Sequence, residues 1–270
     1  MRGKTLIAMA VRSPDHKIVI EKYPFISWSK KYPILGLVFI RGFVTLIEML
    51  IIGSKLLMRS AEIAMPEEAG KKISPLELFL TYTASFILFI AFFLALPAFF
   101  FTKLRAVVDS VILLNVCEGL VRLSIFLIFL AVVSLMKDMR RVFAYHGAEH
   151  KVVNMYEHKE ILTIENARKF SVRHPRCGTS FLLVVMVVSI IVFTFLGRPD
   201  LLHRILYKLL LMPVVSGISY EFIRLTAKLK SGIFGFLTWP GMLVQFFTTR
   251  EPTDDQVEVA IKALETVVEA

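Results

Sequence analysis

Charge is scarce in this 270-residue chain, and cysteine scarcer still. Charged residues make up 20% of the sequence and apolar residues 56%, against about 25% and about 45–50% in soluble domains. Two cysteines, Cys117 and Cys177, are too few for a disulfide framework. The stretches 86–101 and 181–196 contain no charged residue. With weakly polar flanks, each approaches the ~20 residues that cross ~30 Å of hydrocarbon. These absences exclude a secreted disulfide scaffold, a disordered tail and an ordinary cytosolic enzyme. They describe an integral membrane protein. A signal peptide is also missing: the first apolar stretch is short, and Arg12, Asp15, His16 and Lys17 follow it at once. That is consistent with a cytoplasmic N-terminus. No internal repeat and no low-complexity segment is visible. The net charge of +10 reads as the basic cytoplasmic side of a membrane protein. Nucleic acid is not an expected partner, because no aromatic-basic module of the known kinds is present.

What is there reads as an α-helical bundle of about four to five transmembrane helices with a small N-terminal β-hairpin. Residues 1–33 form a cytoplasmic segment in which TLIAMAV and KIVIEK are β-prone runs joined by the turn residues SPDHK. Membrane helices occupy 34–135, with a polar linker at 59–75. Within 34–58, Arg41, Glu48 and Lys55 are spaced by sevens and share a helical face. That stretch is either an amphipathic helix on the membrane surface or a span whose charged stripe faces protein. Clear spans follow at about 76–101, 112–135, 181–197 and 205–225. Residues 233–247, interrupted by Pro240 and Gly241, read as a re-entrant or interfacial segment closing the membrane part at 181–250. From 251 to 270 the pattern is a cytoplasmic amphipathic helix, with Thr253 and Gln256 as a capping box and Val257, Ile261, Leu264 and Val268 on one face. With four spans, 24 Lys and Arg fall on the side of both termini and 4 on the other. This asymmetry predicts a multi-pass protein of the bacterial inner membrane with both termini in the cytoplasm.

The cytoplasmic insertion 136–180 carries four of the six histidines, at 146, 150, 158 and 174. His146 and His150 are four apart, so a helix sets both rings on one face within reach of one cation. Glu149 lies near that face, and H-x-x-E-H is the inverted zinc-hydrolase pattern, in which the Glu activates water. His174 and Cys177 follow in HPRCGTS, with a spacing common among zinc ligands. The donor types suit zinc or another transition metal. Two site readings stand side by side. Either His146, His150, His174 and Cys177 all bind, giving a closed structural site, or three groups bind, a fourth position holds water and Glu149 is the base. Glu157 or Glu165 could then supply the third ligand. Charges inside the spans form a second constellation. Glu118 with Arg122, and Glu221 with Arg224, are either neutralising local pairs or a polar path to the metal, in which case Glu221 belongs to the site.

At these residues the chain resembles the YqhQ-like family of bacterial membrane proteins. The resemblance rests on MRG with AMAVRSPD near the start, AYHGAEHK at 144–151, ENARKFS at 165–171, HPRCGTSF at 174–181, PVVSGISYE at 213–221 and PGMLVQFFTTREPTDDQVEVA at 240–260. It covers essentially the whole chain. It implies a metal-dependent enzyme with its metal on His146, Glu149, His150, His174 and Cys177, and it says nothing of the substrate. Three functions are then weighed. The first is a membrane-embedded zinc hydrolase acting on a lipid headgroup or a peptide bond near the cytoplasmic face. The second is a non-enzymatic scaffold whose structural zinc pins the insertion, with another membrane protein, an insertion machinery or a ribosomal surface as partner. The third is a transporter, the weakest of them because no inverted repeat is visible.

Overall fold

The fold is described from a computed structural model covering residues 1–3, 5–65, 74–175, 177–228 and 233–269. Two antiparallel strands, β1 (Leu6–Arg12) and β2 (Ile18–Pro24), pair from Leu6 opposite Pro24 to Arg12 opposite Ile18. His16, at φ 59°, turns the chain between them. The hairpin expected from the sequence therefore forms. A short helix α1 (Trp28–Lys31) follows, and the buried Glu48 carboxylate accepts from the Ser27 hydroxyl at 2.8 Å and from the Trp28 N–H at its start. Glu48 lies on α2 (Ile40–Ala64), a 25-residue helix. The charges spaced by sevens have different fates: Glu48 is buried, Arg41 half-buried and Lys55 exposed. Residues 66–73 of the polar linker lie outside the described residues.

Among the described residues, three helices are long and apolar enough to cross a membrane: Leu76–Leu104, Val111–Leu135 and Leu202–Thr226. The first comprises α3 (Pro75–Ile90), a π turn at Ala91–Ala95 and α4 (Leu96–Leu104). Ser74 and Glu77 close a capping box at its start, and Pro97 falls just after the widened turn. The second is α5 (Val111–Leu135), capped by the Ser110 hydroxyl. Next come α6 (Lys137–Glu157), α7 (Ile164–Ala167) and α8 (Gly178–Thr194), the last apolar but only 17 residues long. The third long helix lies within α9 (Leu201–Lys228), which carries Pro213 inside it. These helices expose Phe79, Phe86, Ile128, Val132 and Leu210 on their outer faces, as a lipid-facing surface requires.

α10 (Ile233–Thr248) is one helix through Pro240 and Gly241. The sequence pattern suggested a break there, and the chain does not make one. Gly241 instead allows close contact, because a Cβ on it would lie 2.7 Å from Ser180 Cβ of α8. α11 (Asp254–Val268) is the expected amphipathic helix, with its capping box formed and Gln256 Oε1 accepting the Thr253 N–H at 3.0 Å. It is docked rather than free: Val257, Ala260, Ile261 and Leu264 pack against Ala148, Val152 and Met155 of α6 and Ala167 of α7. Its other flank meets β1, where the Arg12 guanidinium reaches Glu258. The hairpin, α6 and α11 thus form one polar lobe with its own core. Truncating Leu264 or Met155 in such a core costs about 2–5 kcal/mol. Val268, the last of the expected apolar positions, is left exposed.

Candidate metal centre

α6 carries His146 and His150 one turn apart on the face turned away from α11, with ring centroids 4.3 Å apart. Each ring is anchored through Nδ1 to a backbone carbonyl: His146 to Thr248 O at 2.7 Å, His150 to Val172 O at 2.7 Å. A carbonyl can only accept, so both Nδ1 atoms carry the proton. In the neutral rings both Nε2 atoms are therefore lone pairs. Cys177, the residue before α8, meets them, with its Sγ 3.1 Å from His146 Nε2. Ligand atoms of His146, His150 and Cys177 all lie within 4.8 Å of one another.

Three devices hold this arrangement. Asn154 Nδ2 donates to Ser171 O at 2.9 Å and Arg173 O at 3.0 Å, binding that segment to α6 and so setting Val172 O. Gln245 of α10 is fully buried and clasps His174 on both sides: it accepts from the His174 N–H at 2.9 Å and donates to His174 O at 2.8 Å. The Thr248 carbonyl is delivered because the chain after α10 lies directly on α6. There the Arg250 N–H donates to Phe143 O at 2.9 Å, and a Cβ on Gly147 would sit 2.0 Å from Arg250 O. Only glycine permits that approach. None of these three carried a signal in the sequence. A backbone acceptor has no side-chain signature, and Gln245 and Gly147 are chemically silent until the chain is folded.

The electrostatics follow from the donors. Burial opposes a Cys177 thiolate, but the His146 ring and its charge, the neighbouring His150 ring and the Thr179 hydroxyl outweigh it, bringing the thiol down to about 5. The start of α8 acts in the same direction, with the Thr179 N–H 3.4 Å from Sγ. Burial likewise opposes a charged His146, and its contact with Cys177 and Thr248 O raises its pKa nonetheless. One proton is thus shared between His146 and Cys177 across their 3.1 Å contact. A cation would replace that shared proton.

The donor set fits a transition metal. Two imidazole lone pairs and a thiolate are zinc-type ligands, and an Nδ1–H fixed on a carbonyl is the usual support of a metal-binding His. His174 is buried beside His150, with ring centroids 5.9 Å apart, and its Nε2 is 3.4 Å from Glu157 Oε1. It lies next to the convergent trio and outside it. Glu149 is exposed and lines a different groove, with Met9, Leu56, Tyr145 and Ala260. One residue of helical offset carries it from the ligand face toward β1 and α11. Glu165 is exposed on α7. Glu221 is bound by Arg41 of α2 at 2.5 Å.

With this geometry established, similarity to known proteins is informative. The sequence profile of a family described as "Protein of unknown function (DUF1385)" matches residues 37–270. The chain is 34% identical over 279 residues to "Uncharacterized protein YqhQ" of Bacillus subtilis (strain 168), covering 97% of this chain and 86% of that protein. No solved structure matches.

Proposed function

The chain belongs to the DUF1385 family, and on that footing we propose that it is a membrane-embedded, metal-dependent hydrolase of the cytoplasmic face of the bacterial inner membrane. His146, His150 and Cys177 would hold zinc or a related transition metal. The observation that carries the reading is the convergence of ligand atoms of His146, His150 and Cys177 within 4.8 Å of one another, with both rings fixed through Nδ1 on backbone carbonyls. Three protein ligands and one open position is how catalytic zinc sites are built. Zinc so held supplies a Lewis acid and a water of lowered pKa. Glu149 was the expected base, but its exposure in another groove passes that role to His174 and Glu157. The buried imidazole sits beside His150, and the carboxylate that would take its proton is 3.4 Å away. The substrate class is a lipid headgroup or a peptide bond at the membrane surface. The cytoplasmic assignment rests on 24 basic residues against 4. It is also supported by the joining of the two poorer loops, where Arg198 donates to Val108 O at 3.1 Å and Asn115 to Gly197 O at 3.2 Å.

A second reading rests on the same His174. As a fourth ligand it would close the site, and the lobe would be a scaffold pinned by structural zinc, presenting its basic face to another membrane protein or an insertion machinery. Cobalt substitution separates the two without a substrate. Both readings give a thiolate-to-cobalt absorption band that is lost in Cys177→Ala. Azide or cyanide shifts the visible bands of an open site and leaves a closed one unchanged. A purified protein that takes up no cobalt contradicts both.

A further inference from the structure

At the end of the bundle away from the histidines, three cations surround a single carboxylate. Glu118 of α5 and Arg204 of α9 are each 1% exposed, and Arg122 and Lys208 are also buried. Glu118 Oε1 accepts from Arg122 Nη2 at 3.0 Å and from Lys208, and its Oε2 accepts from Arg204 Nε at 3.0 Å. Arg204 also donates to Asn115 Oδ1. Both carboxylate oxygens are thereby used, and N–H groups remain. Arg204 Nη1 and Arg122 Nε are buried without a hydrogen-bond partner. Phe101 stacks on Arg204 at 3.4 Å and Phe193 lies 5.4 Å from Arg122, holding the guanidinium planes without supplying a negative charge. The neighbouring acid Asp200 is exposed and turned to His203. A bundle that had only to neutralise Glu118 would need one cation, and it buries three.

We infer that this cluster binds a phosphoryl-type oxyanion, either the phosphate of a lipid headgroup or free phosphate. Several observations converge on that ligand. The cluster's excess charge is positive, and a phosphate monoester carries about −1.5 to −2 near neutral pH. The unused donors sit on guanidinium forks, whose geometry suits phosphate oxygens. A charge buried without a partner is costly, up to about 2.5–3.5 kcal/mol at the bilayer centre even on lenient scales, which favours a counter-charge at this cluster. The first turn of α9, which holds Arg204, adds the positive end of a helix dipole. The site is separate from the metal centre: Glu118 and the end of α5 are 17 residues, ~25 Å of helix, apart.

The test uses the full-length protein in non-ionic detergent and phosphate-free buffer. Total phosphorus per chain is measured, retained lipid is analysed by mass spectrometry, and inorganic phosphate is then titrated with the melting temperature as readout. One phosphorus per chain, recovered as phospholipid and lost in Arg204→Gln, assigns a lipid headgroup. No retained phosphorus, with a saturable rise in melting temperature on adding phosphate, assigns free phosphate. In that case Arg204→Gln weakens the response by about tenfold or more, as expected for losing charge-assisted hydrogen bonds. Should that variant not fold, Lys208→Gln keeps both guanidinium groups and carries the same comparison. Glu118→Gln raises the surplus by one and tightens phosphate binding, whereas a cluster existing only to bury an ion pair would lose stability without gaining affinity. Wild-type protein with neither retained phosphorus nor a phosphate response overturns the inference. So does an equal response to chloride at the same ionic strength.

Discussion

Two polar clusters sit toward opposite ends of α5, and they are complementary in what they leave unsatisfied. The His146–His150–Cys177 centre collects lone pairs: its ring N–H groups are spent on carbonyls and its acceptors converge. The Glu118 cluster collects N–H groups: its acceptors are spent and its donors are left over. One end is built to take a cation and the other an anion. An unmet valence in a buried cluster has a sign, and the sign indicates the chemistry of the missing partner.

The comparison is broken most severely by removing the one acceptor of the cationic end. Glu118→Ala leaves three buried cations facing one another and should cost about 3–5 kcal/mol. The loss would appear as a large fall in melting temperature with metal content unchanged. Equal stability, or parallel loss of metal, would mean that the two clusters are not independent. Gly147→Ala should disturb the other end. Its Cβ meets a backbone carbonyl that cannot swing aside, so about 1–3 kcal/mol is lost, and metal affinity falls because Thr248 O moves with Arg250. Gly53→Ala is the control: nothing lies within 4 Å of that Cβ, and an exposed helical glycine should gain about 0.5–1 kcal/mol. A smaller effect concerns protonation. In metal-free protein the Cys177 thiolate, followed by its absorbance near 240 nm, should be present above about pH 5 and lost as the pH falls through that value. Because the folded value is depressed, the stability it contributes is fully present above the ordinary thiol value of 9.0 and shrinks as the pH falls toward about 5. His146→Gln should move the midpoint up toward that ordinary range. The smallest effect is Gln256→Ala, which removes half of the α11 capping box and should cost about 0.5–1 kcal/mol, read as faster proteolysis of the tail.

The sequence carried the local features well. The hairpin, the apolar helices and the capped tail each announce themselves through period, turn chemistry or capping residues within a few positions, and the structure has all three. Features that depend on tertiary approach did not show. Glu118 and Arg122 could be paired from their spacing, but Arg204 and Lys208 arrive 86 and 90 residues later in the chain. Glu221 was read beside Arg224, and its ion pair with Arg41 spans 180 residues. The four-residue spacing put His146 and His150 on one face, and HPRCGTS brought Cys177 to them. Glu149 lies 100° from His150 around an ideal α6, and the groove it lines with Met9 and Tyr145 is formed by tertiary contacts that no local spacing encodes. The continuity of α10 through Pro240 has no local sequence signal, because proline is tolerated inside membrane helices that it would break in water.

X-ray absorption at the metal edge, on protein purified without added metal, tests the central claim most directly. The account predicts about one metal per chain. Its first shell should contain one sulfur near 2.3 Å and two imidazole nitrogens near 2.0–2.1 Å, with the sulfur contribution lost in Cys177→Ser. A shell of oxygen alone, or a metal content that is the same in His146→Ala, His150→Ala and Cys177→Ala as in the wild type, would contradict it.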